Sequence, residues 1–340
     1  MMRWASRTRY LLVAATAAAI ALPGEIACAQ GGADPNAAPN PYRVDEGWAK
    51  LPEGRKWGAA IGIDIDRDGS SVWVFDRCAT ADDCSGSNLA PIQKFDASGK
   101  LVASFGAGMF NYPHGLFVDR DNNVWVTDGR AKNNGKGHTV TKFSADGKLL
   151  LILGKPGVAG DGPDTFHAPS DVLVAPNGDI FVADGHGGES NARIVKFSKD
   201  GKFIKTWGKK GSAPGEFDVP HGLAMDSAGR LFVADRVNSR IQIFDQDGKF
   251  LDQWRQFGRP SGVFIDKNDI IYVADSQSDD KVNPPFRQGI RIGGVKDGKV
   301  TAYIPEHTEL RALEGVAADD RGNVYGGYTN TLNFRRFVKK

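Results

Sequence analysis

The chain has 340 residues, of which 41% are hydrophobic and 25% charged, and this composition excludes wholesale disorder. Its 43 basic and 41 acidic side chains leave a net charge of +2, which argues against a protein that binds nucleic acid or a membrane surface. The 42 glycines and 17 prolines follow no collagen period and favour many short strands joined by turns.

The first 29 residues have the pattern of an export signal. Three arginines precede an apolar run, residues 11–22, which is too short to form a membrane span of about 20 residues. Ala27-Cys28-Ala29 supplies the small residues that signal peptidase requires, so we expect cleavage after Ala29 and a periplasmic or secreted protein that is not integral to the membrane. A lipoprotein anchored through Cys28 is the alternative, but Glu25 stands where a lipobox requires an aliphatic residue.

Export also accounts for the cysteines. After removal of Cys28, Cys78 and Cys84 remain as an even pair in a loop rich in Gly, Ser and Asp. An oxidising compartment then favours a disulfide between these two residues. A metal-binding pair is the alternative, although the chain has no second pair of cysteines to complete such a site.

The rest of the chain divides in two by composition. Residues 30–41 are rich in Gly, Ala, Asn and Pro and are predicted to form a flexible linker. Residues 42–340 consist of one repeating unit and are predicted to form a single domain.

Six copies of the unit are recognisable by their second predicted strand, an apolar run that ends in Asp in five copies. These ends recur every 40–56 residues, at Asp76, Asp128, Asp184, Asp235, Asp275 and Tyr328. The first five ends are each followed by a further hairpin that turns at Ser-Gly or Asp-Gly: Ile92–Gly106, Val140–Gly154, Ile194–Gly208, Ile241–Trp254 and a looser fifth copy, Ile290–Ile304. Four strands per unit at this period predict an all-β fold, a six-bladed β-propeller.

The ends of the chain are expected to close the ring. The last copy, from Gly315 to Phe337, contains only three predicted strands. We expect the N-terminal segment Arg43–Leu51 to supply the fourth strand, because this arrangement leaves no free sheet edge between the first and last blades.

A possible metal site follows from the repeat. The innermost strand of each blade lines the central channel, so equivalent positions form a ring. The residues before the first-strand glycine position are Ile61, His114, Ser170, His221, Ser261 and Glu314. His114, His221 and Glu314 belong to alternate blades and are predicted to converge as ligands of zinc, or of iron(II) or manganese. The alternative is that the histidines are structural and bond to neighbouring carbonyl groups.

Residues 234–241, Ala-Asp-Arg-Val-Asn-Ser-Arg-Ile, resemble the signature of the NHL-repeat family. More narrowly, Tyr112-Pro113-His114-Gly115-Leu116 and residues 217–221, Phe-Asp-Val-Pro-His, resemble peptidyl-α-hydroxyglycine α-amidating lyases. The resemblance implies a six-bladed propeller with NHL-type blades and a zinc held by three histidines.

This resemblance also bears on the metal site. His114 and His221 match two of the family's zinc ligands, and Glu314 stands at the third position. Gly315 stands where the family has an aspartate of a structural calcium site, so calcium is not expected.

The resemblance assigns three further site residues. Arg77 and Arg236 match two active-site arginines of the family, and a guanidinium group can hold a substrate carboxylate with two hydrogen bonds. His186 stands in place of the family's catalytic tyrosine and could act as a general base. The alternatives are that the arginines form salt bridges to loops and that His186 is a surface residue.

Two functions are therefore predicted. The first is a metal-dependent lyase that cleaves the C–N bond of an α-hydroxyglycine-type substrate and releases an amide and glyoxylate. The second is a non-catalytic periplasmic binding or scaffold propeller with a protein partner on one face. A lactonase is a third possibility at the level of the fold, but its calcium site requires Asp, Asn and Glu where this ring has histidines.

Overall fold

The structure is a computed structural model that describes residues 1, 2, 34–306 and 312–340. The predicted signal peptide, apart from its first two residues, and residues 30–33 of the predicted linker lie outside the described residues. The chain divides into two units, Met1–Ala33 and Asp34–Lys340, and all strands of the described residues lie in the second unit. The described residues include no helix that is long and apolar enough to cross a membrane.

In the part of the chain that the structure describes, 24 strands form six antiparallel sheets of four strands each, which confirms the predicted six-bladed propeller. The N-terminal strand is β1 (Tyr42–Asp45). Blade 1 contains β2 (Ala60–Ile65), β3 (Val72–Asp76), β4 (Ile92–Phe95) and β5 (Leu101–Phe105). Blade 2 contains β6 (Pro113–Val118), β7 (Val124–Asp128), β8 (Thr139–Phe143) and β9 (Leu149–Leu153). Blade 3 contains β10 (Pro169–Val174), β11 (Ile180–Asp184), β12 (Arg193–Phe197) and β13 (Phe203–Trp207).

The remaining three blades follow the same order. Blade 4 contains β14 (Pro220–Met225), β15 (Leu231–Asp235), β16 (Arg240–Phe244) and β17 (Phe250–Trp254). Blade 5 contains β18 (Pro260–Ile265), β19 (Ile270–Asp275), β20 (Gly289–Gly294) and β21 (Val300–Pro305). Blade 6 contains β22 (Leu313–Ala318), β23 (Val324–Tyr328), β24 (Asn333–Lys339) and β1.

The N-terminal strand closes the ring as predicted. Strand β1 pairs antiparallel with β24, with Tyr42 opposite Lys339. Arg336 on β24 donates from Nε to Asp45 Oδ2 on β1 over 2.9 Å. The outer edge of blade 6 therefore comes from the opposite end of the chain, and the ring has no gap between its first and last blades.

Apolar side chains between neighbouring blades form the core. The second strands of blades 1 and 2 are buried along their whole length because both of their faces pack against other blades. One such cluster combines Trp73 and Phe75 of blade 1 with Val118 and Val126 of blade 2. Burial of one large aromatic side chain contributes on the order of 3 kcal/mol, so the inter-blade contacts hold the ring and its channel in shape.

Acidic residues at the ends of the second strands fix the loops that follow. Asp235 Oδ1 accepts from the backbone N–H of Asp218, and its Oδ2 accepts from Arg240 Nε over 2.7 Å. Asp184 similarly accepts from the backbone N–H of His167 and from Arg193 Nε. These carboxylates bind the segment that enters each blade, next to the loops that carry the site residues described below.

Part of the predicted linker contacts blade 5. The Asn36 Oδ1 atom accepts from the backbone N–H of Arg287 and from Arg291 Nη2, over 2.9 and 2.7 Å. The Pro39 carbonyl oxygen accepts from the Tyr303 backbone N–H. Residues 36–41 are therefore attached to the propeller by hydrogen bonds.

Candidate functional site

A central channel of about 840 Å³ passes between the innermost strands. All six ring positions inferred from the repeat line this channel. They are Ile61, His114, Ser170, His221, Ser261 and Glu314. Each lies within the first two residues of its innermost strand, so all six surround the same end of the channel.

Glycines beside these positions bring neighbouring strands close together. A Cβ atom on Gly222, which follows His221, would lie 2.5 Å from the Ser261 carbonyl oxygen in the next blade. A Cβ atom on Gly62 would lie 2.6 Å from the Leu116 Cβ atom. Side chains would hold the strands apart at this level, so the glycines allow the ring residues to converge.

Three imidazoles meet at this end of the channel. One ligand atom from each of His114, His186 and His221 lies within 4.8 Å of the other two. His186 Nε2 is 3.2 Å from His221 Nε2, and the His114 ring centroid is 4.5 Å from that of His186. Within the described parts of the chain, this is the one group of His, Cys, Asp or Glu side chains close enough to hold a metal ion.

Hydrogen bonds orient two of these rings. His114 Nδ1 lies 2.6 Å from the Ser170 carbonyl oxygen, and His221 Nδ1 lies 3.2 Å from the Ser261 carbonyl oxygen. Because a carbonyl oxygen only accepts, both Nδ1 atoms carry the proton and both Nε2 atoms present a lone pair. His114 Nε2 is buried without a hydrogen-bond partner. This backbone support of a metal-binding tautomer fits a zinc site.

Burial keeps the three rings neutral. It lowers the pKa of His114, His186 and His221 well below its usual value. Nearby positive charge acts in the same direction: Arg77 further lowers the pKa of His114, and Arg236 that of His221. Neutral imidazole is the form that binds a metal ion.

Glu314 lies beside the imidazoles and is paired with an arginine. Its Oε1 accepts from Arg236 Nη1 over 3.1 Å, and its Oε2 is 4.0 Å from His221 Nε2. Burial lowers the pKa of Arg236, and the Glu314 charge opposes that shift. Arg236 Nε is buried without a partner, so this guanidinium retains a donor that faces no acceptor.

Arg77 is held by the loop that contains the predicted disulfide. The bond between Cys78 and Cys84 is present. Arg77 donates from Nη1 to the Ala81 carbonyl oxygen inside the disulfide loop, over 2.9 Å. It also donates from Nε to the carbonyl oxygen of Pro113, the residue before His114, over 3.2 Å. The loop of blade 1 is thereby attached to the strand that carries a histidine in blade 2.

The structure and the sequence-based assignment differ over two residues. The sequence placed Glu314 in the ligand set and left His186 outside it as a base. In the structure the three imidazoles form the compact group and Glu314 is ion-paired at its edge. The loop after β11 turns tightly because Gly185 has φ +147°, where a Cβ would collide with the Asn191 carbonyl oxygen. This turn brings His186 beside the ring histidines.

Two further residues, Tyr112 and Arg130, belong to the site and were not assigned a role from the sequence. The guanidinium carbons of Arg77 and Arg130 lie 3.7 and 3.8 Å from the Tyr112 ring centroid. Tyr112 also stacks on His114, with 6.1 Å between centroids. A signal for Arg130 was available, since it follows Asp-Gly at the end of a second strand, the same offset that His186 has in the next blade.

Comparisons with known proteins agree with this fold. Residues 217–244 match the model of the NHL repeat. The chain is thus a six-bladed β-propeller that contains an NHL repeat at residues 217–244. It is 36% identical over 202 residues to NHL repeat-containing protein 3 of Homo sapiens, which covers 58% of this chain and 54% of that protein.

The propeller is also similar to proteins named for peptide amidation. It is 37% identical over 246 residues to peptidyl-glycine alpha-amidating monooxygenase B of Xenopus laevis, covering 67% of this chain and 26% of that protein. It is 39% identical over 154 residues to peptidyl-alpha-hydroxyglycine alpha-amidating lyase 1 of Drosophila melanogaster, covering 42% and 27%. The matches thus span about half the length of the first relative and less of the other two.

Solved structures support the fold alone. A gluconolactonase from Xanthomonas campestris superposes with a TM-score of 0.58 at 16% identity, over 88% of this chain and 95% of that one. A streptogramin B lyase superposes with a TM-score of 0.56 at 13% identity, over 88% and 98%. Identity this low indicates shared architecture and carries no information on activity.

Proposed function

We propose that this NHL propeller is a metal-dependent lyase. It would cleave the C–N bond of an α-hydroxyglycine-type substrate at the end of the channel and release an amide and glyoxylate. The observation that carries the proposal is the group of three neutral imidazoles, two of them buried and that of His186 half-buried, with arginines around it. The similarity to amidating lyases supports the choice of reaction.

The residues present fit a divalent metal ion, with zinc preferred and iron or manganese as alternatives. His114, His186 and His221 would hold it, as three neutral nitrogen donors are a common ligand set for catalytic zinc. Glu314, the ligand predicted from the sequence, would lie beside the ion rather than complete the set. When bound, the metal would act as a Lewis acid toward the substrate hydroxyl oxygen.

Arg77 and Arg236 would bind the substrate carboxylate. Arg77 is buried and keeps its position through two backbone carbonyl groups. Arg236 approaches from blade 4 and is held by Glu314. Two fixed guanidinium groups on different blades restrict the orientation of a carboxylate more than one mobile side chain does. With the carboxylate held in this way, the carbinol carbon of the substrate would lie next to the histidines.

Glu314 is placed to take the proton that the reaction releases. Its Oε2 atom faces His221, so a hydroxyl group held beside the imidazoles would lie near it. The O–H proton passes to the carboxylate, the C–O bond becomes a carbonyl, and the C–N electron pair goes to nitrogen. The amide nitrogen then takes up the proton, so no external oxidant or water is consumed.

We infer that the protein acts in the periplasm or outside the cell. The disulfide between Cys78 and Cys84 supports export, because such bonds persist in oxidising compartments. The apolar segment at residues 11–22 supports the same conclusion from the sequence.

The test combines metal content with turnover. Purified protein should contain about one zinc, iron or manganese ion per chain and should release glyoxylate from α-hydroxyhippurate. His114→Ala and His186→Ala should lose both properties. His167→Ala removes a histidine outside the group and serves as the matched control. Wild-type protein that takes up no metal after reconstitution, or that turns over equally well without it, would overturn the proposal.

The second candidate is a binding or scaffold propeller without catalysis. The departures of His186 and Glu314 from the ligands and tyrosine expected of the lyases favour it, as does the similarity to NHL repeat-containing protein 3. Such a protein would bind a partner on a propeller face. It would show no glyoxylate release even when fully loaded with metal.

A further inference from the structure

A stack of two arginines and one tyrosine borders the site. The guanidinium carbons of Arg77 and Arg130 lie 3.7 and 3.8 Å from the Tyr112 ring centroid. Two groups at contact distance over one centroid must occupy opposite faces, since on one face they would overlap. The ring is therefore enclosed between the two cations, and it is buried although Arg130 itself is exposed.

Neither arginine of the stack forms an ion pair with a described carboxylate. Within residues 34–306 and 312–340, no carboxylate oxygen lies within 4.0 Å of the guanidinium group of Arg77 or Arg130, whereas Arg236 is paired with Glu314. Arg77 donates to two carbonyl oxygens. Like charges that face each other across one ring repel, so the stack favours an anion that contacts it.

The stack is part of the site. Tyr112 lies two residues before His114 and stacks on it. Its ring centroid also lies 6.0 Å from that of His186. The exposed guanidinium of Arg130 thus lies on the solvent side of Tyr112. A ligand whose reacting end is at the imidazoles would place its other end near this guanidinium.

Charge balance indicates what this second position recognises. In the proposed function, one substrate carboxylate is bound by Arg77 and Arg236, and the charge of Arg236 is already offset by Glu314. That carboxylate therefore compensates Arg77 and leaves the positive charge of Arg130 without a partner. A second anionic group on the acyl side of the substrate would complete the balance.

We infer that Arg130 binds a second anionic group of the ligand, so that the preferred substrates are dianions: α-hydroxyglycine-type compounds with a further carboxylate in the acyl part. This inference rests on the proposed function for the identity of the first carboxylate. Tyr112 acts as a positioning residue that keeps Arg130 beside the site.

The test measures binding without turnover. Hippurate carries one carboxylate and 4-carboxyhippurate carries two, and neither has the hydroxyl group that the lyase reaction requires. Calorimetric titration of the metal-loaded full chain should show about tenfold tighter binding of 4-carboxyhippurate. In Arg130→Gln this ratio should fall to about one, with unchanged metal content. Arg120→Gln makes the same change at an exposed arginine near the other end of the channel and should keep the ratio.

The outcomes separate the two proposals. Equal affinity for both compounds in wild type, a ratio that survives in Arg130→Gln, or absence of binding overturns the inference. A preference for the dianion in a protein that releases no glyoxylate from any α-hydroxyglycine compound overturns the lyase and leaves the anion site standing.

Discussion

Arg236 Nη1 lies 3.1 Å from Glu314 Oε1, and this ion pair links blade 4 to blade 6 beside the channel. The two residues are 78 positions apart in sequence. Both side chains are about nine-tenths buried. A buried charge without a partner costs free energy, so each residue depends on the other. Arg236 is the arginine that would bind the substrate, and Glu314 is the only carboxylate of the described structure that lies within 4.0 Å of a site histidine.

Removal of the Glu314 charge should therefore destabilise the metal-free protein. Glu314→Gln leaves Arg236 buried without a counterion, and we expect the free energy of unfolding to fall by on the order of 3 kcal/mol. Urea denaturation measures the change. Asp320→Asn disrupts the exposed ion pair with Lys267 and should cost less than about 1 kcal/mol. Equal losses in both variants would contradict a buried ion pair at the site.

A carboxyl group in the channel predicts a pH dependence of stability. Asp171 accepts from the backbone N–H of Leu223 in the next blade, and burial raises its pKa to about 8. The folded protein then holds a proton that the unfolded chain releases above its ordinary pKa of 3.8. The stability that this proton provides is complete below about pH 4 and is lost as the pH rises to about 8.

The comparison that isolates this effect is Asp171→Asn against wild type in metal-free buffer. Between pH 5 and 8 the free energy of unfolding of wild type should fall relative to the variant by about 1.4 kcal/mol per pH unit, the value for one proton. Asp121→Asn changes an exposed carboxylate and serves as the control. Parallel curves for wild type and Asp171→Asn would show that Asp171 is ionised in the fold.

The disulfide should affect substrate binding as well as stability. Replacement of Cys78 and Cys84 by serine frees a short loop, and the lost chain constraint corresponds to about 2 kcal/mol. Because the loop carbonyl of Ala81 holds Arg77, hippurate affinity should also fall, while metal content stays the same. Dithiothreitol should reproduce both effects in wild type and leave the double serine variant unchanged. Retained affinity would show that Pro113 alone positions Arg77.

The Tyr112 ring should matter through its face rather than its hydroxyl group. Tyr112→Phe keeps a face for both guanidinium groups and should retain the preference for the dianion. Tyr112→Leu removes two cation–π contacts, worth about 0.5–2 kcal/mol each, and should lower both stability and the affinity for 4-carboxyhippurate. Thermal unfolding and calorimetry measure the two quantities. Identical behaviour of the two variants would exclude a role for the stack.

Much of the fold was predictable because its signals are local. The hairpin between the third and fourth strands of blades 1 to 5 turns at a glycine between apolar runs, such as Asp146-Gly147 between β8 and β9, and the repeat places these hairpins in equivalent positions. The closing strand was expected between Arg43 and Leu51, and β1 occupies Tyr42–Asp45. Pairing of the chain ends follows from the count of strands, since only three remain for the last blade.

The site was predictable only where the repeat register sets the position. His114, His221 and Glu314 occupy equivalent places on innermost strands, so their presence on one ring follows from the alignment of repeats. His186 and Arg130 have the same offset from the preceding second strand, but they lie in loops of different length, so the repeat does not determine where their side chains lie. Their positions depend on a glycine turn and on contacts to a neighbouring blade.

The sequence by itself determined the number of blades, the order of strands and the ring of channel residues, because β-turn chemistry and strand alternation act over a few neighbouring residues. Only the tertiary structure decided which side chains meet at the end of the channel. In the structure, His186 and not Glu314 completes the compact group of possible ligands. Glu314 is paired with Arg236, and Tyr112 is enclosed between two arginines. These contacts join different blades, and their energies depend on burial and charge that arise when the ring closes.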